Sequence, residues 1–206
     1  MVIKEWSFIT EGTHGQVRKI VVQHGDVEEV LCLKLFSEVW EQAYYREVYA
    51  YAFMIHYKVK HCIPRVYWKG EFPLSRWGGG PIPPGRPQGE VWYSDSEATS
   101  TQDSSVEPIY YGIVMEYFDD FRELDYSKLD WQVGEAVARA LSRIHEARIL
   151  HGDIAERNIL LVRESGKVRP VWIDYSCSWI NAYGIALDSE WGSFMREIYE
   201  YAVRPN

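Results

Sequence analysis

The chain has 206 residues, enough for one domain or for two small lobes that share a cleft. Hydrophobic residues make up 47% and aromatics 15%, with nine Trp and fifteen Tyr, so the chain can bury a core and is not wholly disordered. Its 22 basic and 30 acidic residues leave a net charge of −8, which argues against a broad nucleic-acid-binding face while leaving room for a small basic pocket.

Cys32, Cys62 and Cys177 are too few and too scattered for a disulfide framework or a zinc site, which favours a reducing compartment. The opening Met1-Val2-Ile3-Lys4-Glu5-Trp6 carries an acid early and no long apolar run, unlike a secretion signal. No apolar stretch approaches the roughly 20 residues needed to span a bilayer. These features lead to the expectation of an intracellular protein, cytoplasmic or nuclear, with neither membrane nor nucleic acid as a partner.

Trp6 to Gln23 reads as two strands around Glu11-Gly12-Thr13-His14-Gly15-Gln16, and His24-Gly25-Asp26 as a turn. Glu28 to Phe36 returns as a third strand, whose centre from Val30 to Phe36 is apolar except for Lys34 and is therefore expected to be covered on both faces. Ser37 to Lys58 reads as a helix with Ser37 as N-cap. Its inward stripe is expected to be Trp40, Ala43, Tyr44, Glu47, Val48, Tyr51 and Ile55. Ile63 to Gly70 leads into another strand, and 73–107, rich in Gly and Pro and then in Ser, Thr, Asp and Glu, reads as a flexible insertion.

Ile109 to Phe118 reads as a strand, and Asp119 to Glu123 as the segment leaving it. Asp130 to Ala147 is a strongly periodic helix with Val133, Val137, Ala140, Leu141 and Ile144 inward. Asn158 to Val162 and Val171 to Asp174 pair as a hairpin through Glu164-Ser165-Gly166-Lys167, and a helix over about 189–203 follows. This order predicts an α+β protein with a sheet-rich part, 1–117, and a shorter helical part, 118–206.

The chemistry concentrates in His151-Gly152-Asp153-Ile154-Ala155-Glu156-Arg157-Asn158, followed by Ile173-Asp174-Tyr175. A polar loop follows a buried helix, an Asn stands five positions after an Asp, and a second Asp ends an apolar strand. Two carboxylates and a carboxamide on neighbouring strand ends can converge on one cation. Hard oxygen ligands suit Mg²⁺, which takes few protein groups alongside waters and phosphates.

These residues resemble the catalytic and metal loops of the protein-kinase-like superfamily, in the pattern H-x-D-x-x-x-x-N with a later metal-binding Asp. The His-Gly-Asp form and the Ile173-Asp174-Tyr175-Ser176 sequence look most like aminoglycoside and choline phosphotransferases, RIO-type and related atypical kinases, and short fungal kinase-like proteins. The resemblance spans about 8–176 and implies a two-lobed kinase-like fold with ATP and Mg²⁺ as cofactors. Gly12, Gly15 and Val17 would stand for a degenerate glycine-rich loop, and Lys34 would contact the α- and β-phosphates while held by Glu47. The Glu116 carbonyl and the Phe118 amide would meet adenine. Asp153 would accept the substrate hydroxyl proton, and Asn158 and Asp174 would hold Mg²⁺. His151 would be a structural loop residue.

Plainer readings stand beside these. His24-Gly25-Asp26 repeats the tripeptide of the second loop but has Leu31 where an Asn is needed, so the tripeptide alone means nothing. Lys34 can be a snorkelling strand lysine, Glu47 an exposed helix carboxylate, and the Gly12–Gly15 turn a simple hairpin. Cys177 reads as a buried free thiol, and the Trp and Tyr excess as packing.

Only 32 residues follow Asp174, where the family's peptide-phosphorylating members carry an activation segment, an Ala-Pro-Glu element and several helices. One helix can be placed there, with Trp191, Phe194, Ile198 and Tyr201 inward, so a peptide-binding platform is not expected. Three functions follow. The first is a phosphotransferase acting on a protein Ser/Thr or a small-molecule hydroxyl. The second is a nucleotide-binding pseudokinase or scaffold without turnover. The third is an interaction protein that recognises partners through the insertion.

Overall fold

The alternation of side chains along the third strand sets the architecture. In the structure, a computed structural model that describes residues 2–72 and 109–202, this strand is β3 (Val27–Ser37). It lies at the centre of a five-stranded antiparallel sheet of order β1-β2-β3-β5-β4, with β1 at Val2–Gly12, β2 at Gly15–His24, β4 at Val66–Phe72 and β5 at Tyr110–Glu116. Successive strand residues face opposite ways. Leu31, Leu33 and Leu35 pack with Ile20, Val22, Phe72 and Val114, and Trp6 of β1 and Trp68 of β4 close over them from the two edges of the sheet. Phe36 packs on the other face with Tyr111, Ile113 and Met115, under α1 (Glu41–His56). Covering on both faces, expected from Val30 to Phe36, holds from Leu31 to Phe36, while Val30 is 38% exposed. The phase of the alternation also decides that Lys34 lies on the α1 side.

The α1 helix serves two cores. Its first turns put Ala43, Tyr44 and Val48 under the sheet, and its later turns put Ala50, Tyr51 and Met54 among the helices. The inward stripe therefore differs from expectation at both ends. Ile55 is 57% exposed while Met54 is fully buried, and Trp40 stays at the surface. Ser37 is not the N-cap: it makes no capping hydrogen bond, because a 3₁₀ turn at Glu38–Trp40 intervenes before α1 begins.

The rest of the chain builds the second core from α2 (Trp131–Glu146), α3 (Gly184–Ala202) and three short pairings. β7 (Ile149–Leu150) pairs with β10 (Trp179–Ile180), and β8 (Ile159–Glu164) pairs with both β6 (Phe121–Glu123) and β9 (Lys167–Trp172). Asp130 caps α2 by accepting from the Val133 amide at 2.8 Å. Leu141 and Ile144 of α2, Phe194 and Ile198 of α3 and Trp172 of β9 fill the centre. The β8–β9 turn places Ser165 and Gly166 both at positive φ, as a tight two-residue hairpin requires. Asp119 to Glu123, expected only to leave β5, contains β6. α3 starts five residues before the expected Ser189, because its first turn is solvent-facing, with Ile185 89% exposed, and shows no apolar period. Tyr201, expected inward, is 53% exposed, though it stacks on Tyr126. The insertion at 73–107 lies outside the described residues.

Phe194 is fully buried and meets Trp172 edge to face at 5.4 Å. Phe194→Ala removes that contact and leaves a cavity, so we expect a loss of about 3–5 kcal/mol in urea unfolding. A loss under about 1 kcal/mol would mean that α3 contributes little to the second core.

Candidate functional site

A cleft of about 660 Å³ opens between the sheet and the second core. The β1–β2 turn, β3, the end of β5 and the two polar loops line it, and Gly12, Gly15, Val17, Lys34, Glu47, Glu116, Phe118, Asp153, Asn158 and Asp174 all reach it. Every residue expected to bind or react therefore borders one space, while His151 lies buried beneath it.

Lys34 is the most constrained of them. Its ammonium is buried and donates to Glu47 Oε2 at 2.6 Å and to Asp174 Oδ1 at 2.8 Å. Burial opposes its charge, but the two carboxylates outweigh burial and hold its pKa above the ordinary lysine value. At Glu47 burial dominates and lifts the carboxyl to about 7, only partly countered by Lys34. Asp174 also resists ionisation through burial, yet Lys34 and the Ser176 hydroxyl and amide hold it well below the usual carboxylate range. The plain readings of Lys34 and Glu47 as exposed side chains do not describe this pair.

Asp174 sits at positive φ, +62°, where the chain turns out of β9. Its Oδ1 takes Lys34, the Ser176 hydroxyl at 2.6 Å and the Ser176 amide at 3.3 Å. Its Oδ2 has no hydrogen-bond partner among the described residues. Asn158 donates from Nδ2 to the Asp153 carbonyl and to Asp153 Oδ2, both at 2.9 Å. That fixes the amide orientation and leaves Asn158 Oδ1 similarly without a partner. Two oxygen acceptors on the cleft wall are thus uncommitted. Among the described residues no cluster of three His, Cys, Asp or Glu could hold a metal by itself. A carboxylate and a carboxamide suit Mg²⁺ shared with phosphates, and do not suit zinc.

Asp153 is held by its neighbours. Arg157, four residues on in the same loop, donates to Asp153 Oδ1 at 3.0 Å and to Oδ2 at 2.8 Å. The loop beneath is fixed from the second core. His151 is fully buried between Tyr175 and Trp172; its Nε2–H donates to the Ile173 carbonyl at 3.0 Å, and its Nδ1 accepts the Asp153 amide at 3.4 Å. One donor and one acceptor suit a neutral imidazole. Gly152 has φ +80°, and a Cβ there would lie 2.2 Å from the Cys177 carbonyl, so only glycine fits. Glu190 of α3 accepts the His151 amide at 3.0 Å, the Gly152 amide at 2.7 Å and His145 Nε2 at 2.7 Å.

The β1–β2 turn covers the opposite wall. Gly15 must be glycine for a structural reason, because a Cβ would approach the Leu35 carbonyl to 2.3 Å, whereas Gly12 meets no such crowding. His14, edge-on to Trp40 at 4.8 Å, lies 3.0 Å from the Ser176 hydroxyl. That hydroxyl gives its hydrogen to Asp174, so His14 Nδ1–H is the donor. At the end of β5 the Glu116 side chain turns away from the cleft and accepts the Arg65 amide at 3.1 Å. The Phe118 amide makes no backbone hydrogen bond among the described residues. Cys177, expected to be buried, is partly exposed, and all three cysteines are free.

Sequence reasoning missed Glu190, Ser176, His14 and Arg157 as site residues. None had a legible signal, since Asp153 and Arg157 lie in an irregular loop where four-residue spacing carries no pairing rule.

Burial lowers the pKa of His151 below 6.5, against the pull of Glu190. A base with a depressed folded pKa contributes stability above its unfolded value, and that contribution is lost as pH falls through the folded one. Glu47 titrates in the same range with the opposite sign, so the comparison must be with a variant. We expect wild type to lose stability relative to His151→Asn as pH falls below about 6.5, by at most about 1.4 kcal/mol per pH unit. Parallel pH profiles in chemical denaturation would refute a neutral, buried His151.

No protein-family model matches the chain, and no match was found among curated proteins.

Proposed function

We propose that the protein is an ATP- and Mg²⁺-dependent phosphotransferase of the atypical kinase-like type, passing the γ-phosphoryl group of ATP to a hydroxyl on a protein Ser or Thr or on a small molecule. On this reading 1–117 and 118–206 are the two lobes of a kinase-like fold. One observation carries the proposal: the Lys34 ammonium bridges Glu47 and Asp174 in the cleft that also holds Asp153 and Asn158, with an oxygen of Asn158 and one of Asp174 uncommitted. A buried cation beside free hard-oxygen acceptors suits a polyphosphate with its divalent ion.

The roles follow from position. Lys34, held by Glu47, meets the α- and β-phosphates. The Glu116 carbonyl and the Phe118 amide meet the adenine edge, and the Gly12–Val17 turn covers the phosphates. Asn158 Oδ1 and Asp174 Oδ2 are the groups that would hold Mg²⁺, which when bound supplies charge neutralisation on phosphate oxygens. Asp153 orients the acceptor hydroxyl and takes its proton as the new oxygen–phosphorus bond forms and the bond to the β,γ-bridging oxygen breaks, releasing ADP. The chain's contribution is mostly positioning and electrostatics, since the transferring phosphoryl group needs little covalent help.

A scaffold without turnover is favoured by one feature, the double engagement of Asp153 by Arg157. Arg157 is 65% exposed, and exposed ion pairs are worth about 0.2–1 kcal/mol, so an incoming hydroxyl can displace it. The phosphotransferase reading is therefore preferred.

Melting with ATP, with and without Mg²⁺, and ATP consumption with hydroxyl acceptors separate these readings. We expect Mg²⁺-dependent stabilisation by ATP that Asp174→Asn removes, and turnover that Asp153→Ala lowers by about 10²–10⁴-fold. Stabilisation without turnover on any acceptor supports the scaffold, and undiminished turnover in Asp153→Ala refutes the assigned mechanism.

A further inference from the structure

Behind Glu116 and Pro64, which border both the cleft and the surface beyond it, three adjoining hollows of about 490, 470 and 450 Å³ meet at His61. Their walls come from the α1–β4 connection, from α2 and from the β8–β9 hairpin. Lys58, Lys60, Arg65, Arg143 and Lys167 line them, are exposed, and make no ion pair among the described residues. Arg139 and Arg169 line them too, paired with Glu135 and Glu164. Seven of the chain's 22 basic residues therefore face this groove, against the acids Glu116, Glu146 and Glu164, in a protein of net charge −8. A local excess of positive charge on an acidic protein needs a reason, because nothing in the chain's overall balance produces it.

The groove is also rigid. Lys58 and His61 hold φ of +59° and +65°, the left-handed region that costs a non-glycine residue free energy. Hydrogen bonds from the Val59 amide to Met54, from Arg169 to the His61 carbonyl at 2.9 Å and from the Trp172 amide to Cys62 at 2.9 Å keep them there. The basic side chains thus project from a frame fixed before any partner arrives, which lowers the entropy lost on binding. Between them lie aliphatic residues, with Val59, Ile63, Val66, Val168 and Pro170 on the walls.

We propose that this groove binds an extended acidic segment of a partner protein, its Asp and Glu side chains meeting the five cations that have no ion pair among the described residues and its aliphatic side chains filling the hollows. Glu116, Glu146 and Glu164 break the positive surface into separate stations. Such spacing suits intermittent carboxylates better than the unbroken phosphate row of a nucleic acid, which the net charge also repels.

Fluorescence anisotropy with a short labelled peptide of alternating Glu and Val tests this, alongside its Gln–Val counterpart and an oligothymidine probe. We expect saturable binding of the acidic peptide that falls several-fold as salt rises. The combined variant Lys60→Glu/Arg143→Glu/Lys167→Glu should weaken it by about tenfold or more. Lys60→Gln/Arg143→Gln should weaken it less, and provides the readout if the charge-reversed protein melts early. Equal affinity for the Gln–Val peptide, unchanged affinity in a folded variant, or tighter binding of the oligothymidine overturns the proposal. No nucleotide is added, so the result stands apart from the phosphotransfer reading.

Discussion

The structure depends on one buried ammonium. An unpaired charge in the interior is costly, and Lys34 is tolerable there because two carboxylates share it. Those carboxylates arrive from α1, thirteen residues on, and from the end of β9, 140 residues on. The pairing therefore links three elements: the central strand, the helix beneath it and the loop that carries Asp174. Moving any one strands a charge. The phase of β3 is part of this constraint, because a one-residue slip would turn Lys34 toward Leu31, Leu33 and Leu35 and point a leucine at Glu47.

The polar groups around the cleft divide into those that hold and those left available. His151 and Glu190 hold: one joins the Asp153 loop to Ile173, the residue after β9, and the other gathers two backbone amides and His145. Both sit against the second core, so the rigidity of the loop derives from hydrophobic packing. Asp174 divides this labour within one side chain, with Oδ1 saturated by internal donors and Oδ2 open. Asn158 does the same, with its amide nitrogen committed and its oxygen open. The Asp153–Asn158 spacing was legible in the sequence, but the orientation of the amide is a product of the fold.

What could be read in advance was what repeats. The strand around Lys34, the α2 helix with Asp130 at its start and the hairpin around Ser165-Gly166 carry strong periodic or turn signals, and the structure has all three. Misreadings fall where periodicity is absent or has two sources. The α1 stripe changes direction midway because the helix packs first on the sheet and then on the β7–β10 side of the second core, so a single helical period misplaces Ile55. The first turn of α3 faces solvent and gives no signal. Glu190 was invisible because a carboxylate one residue from Trp191 looks like any surface acid; only the approach of α3 to the His151 loop gives it partners.

The strength of the polar contacts grades from the cleft floor to its mouth, and this grading decides which of them an incoming group can displace. Lys34 and Glu47 have side chains 8% and 1% exposed. Charges near 4 Å attract by about 4 kcal/mol at an effective dielectric of 20, against about 1 kcal/mol in bulk water. Asp153 and Arg157, 35% and 65% exposed, lie nearer the watery limit. His14, brought by the β1–β2 turn to Ser176, has its pKa lowered by partial burial, which favours the neutral ring in that contact. A molecule entering the cleft meets replaceable partners first, at Arg157 and His14. Only the ammonium at the floor, whose partners leave part of its surroundings facing the cleft, has to be met as it stands. Contacts at the mouth can therefore be displaced without disturbing the charge geometry at the floor, because they are the ones water already weakens.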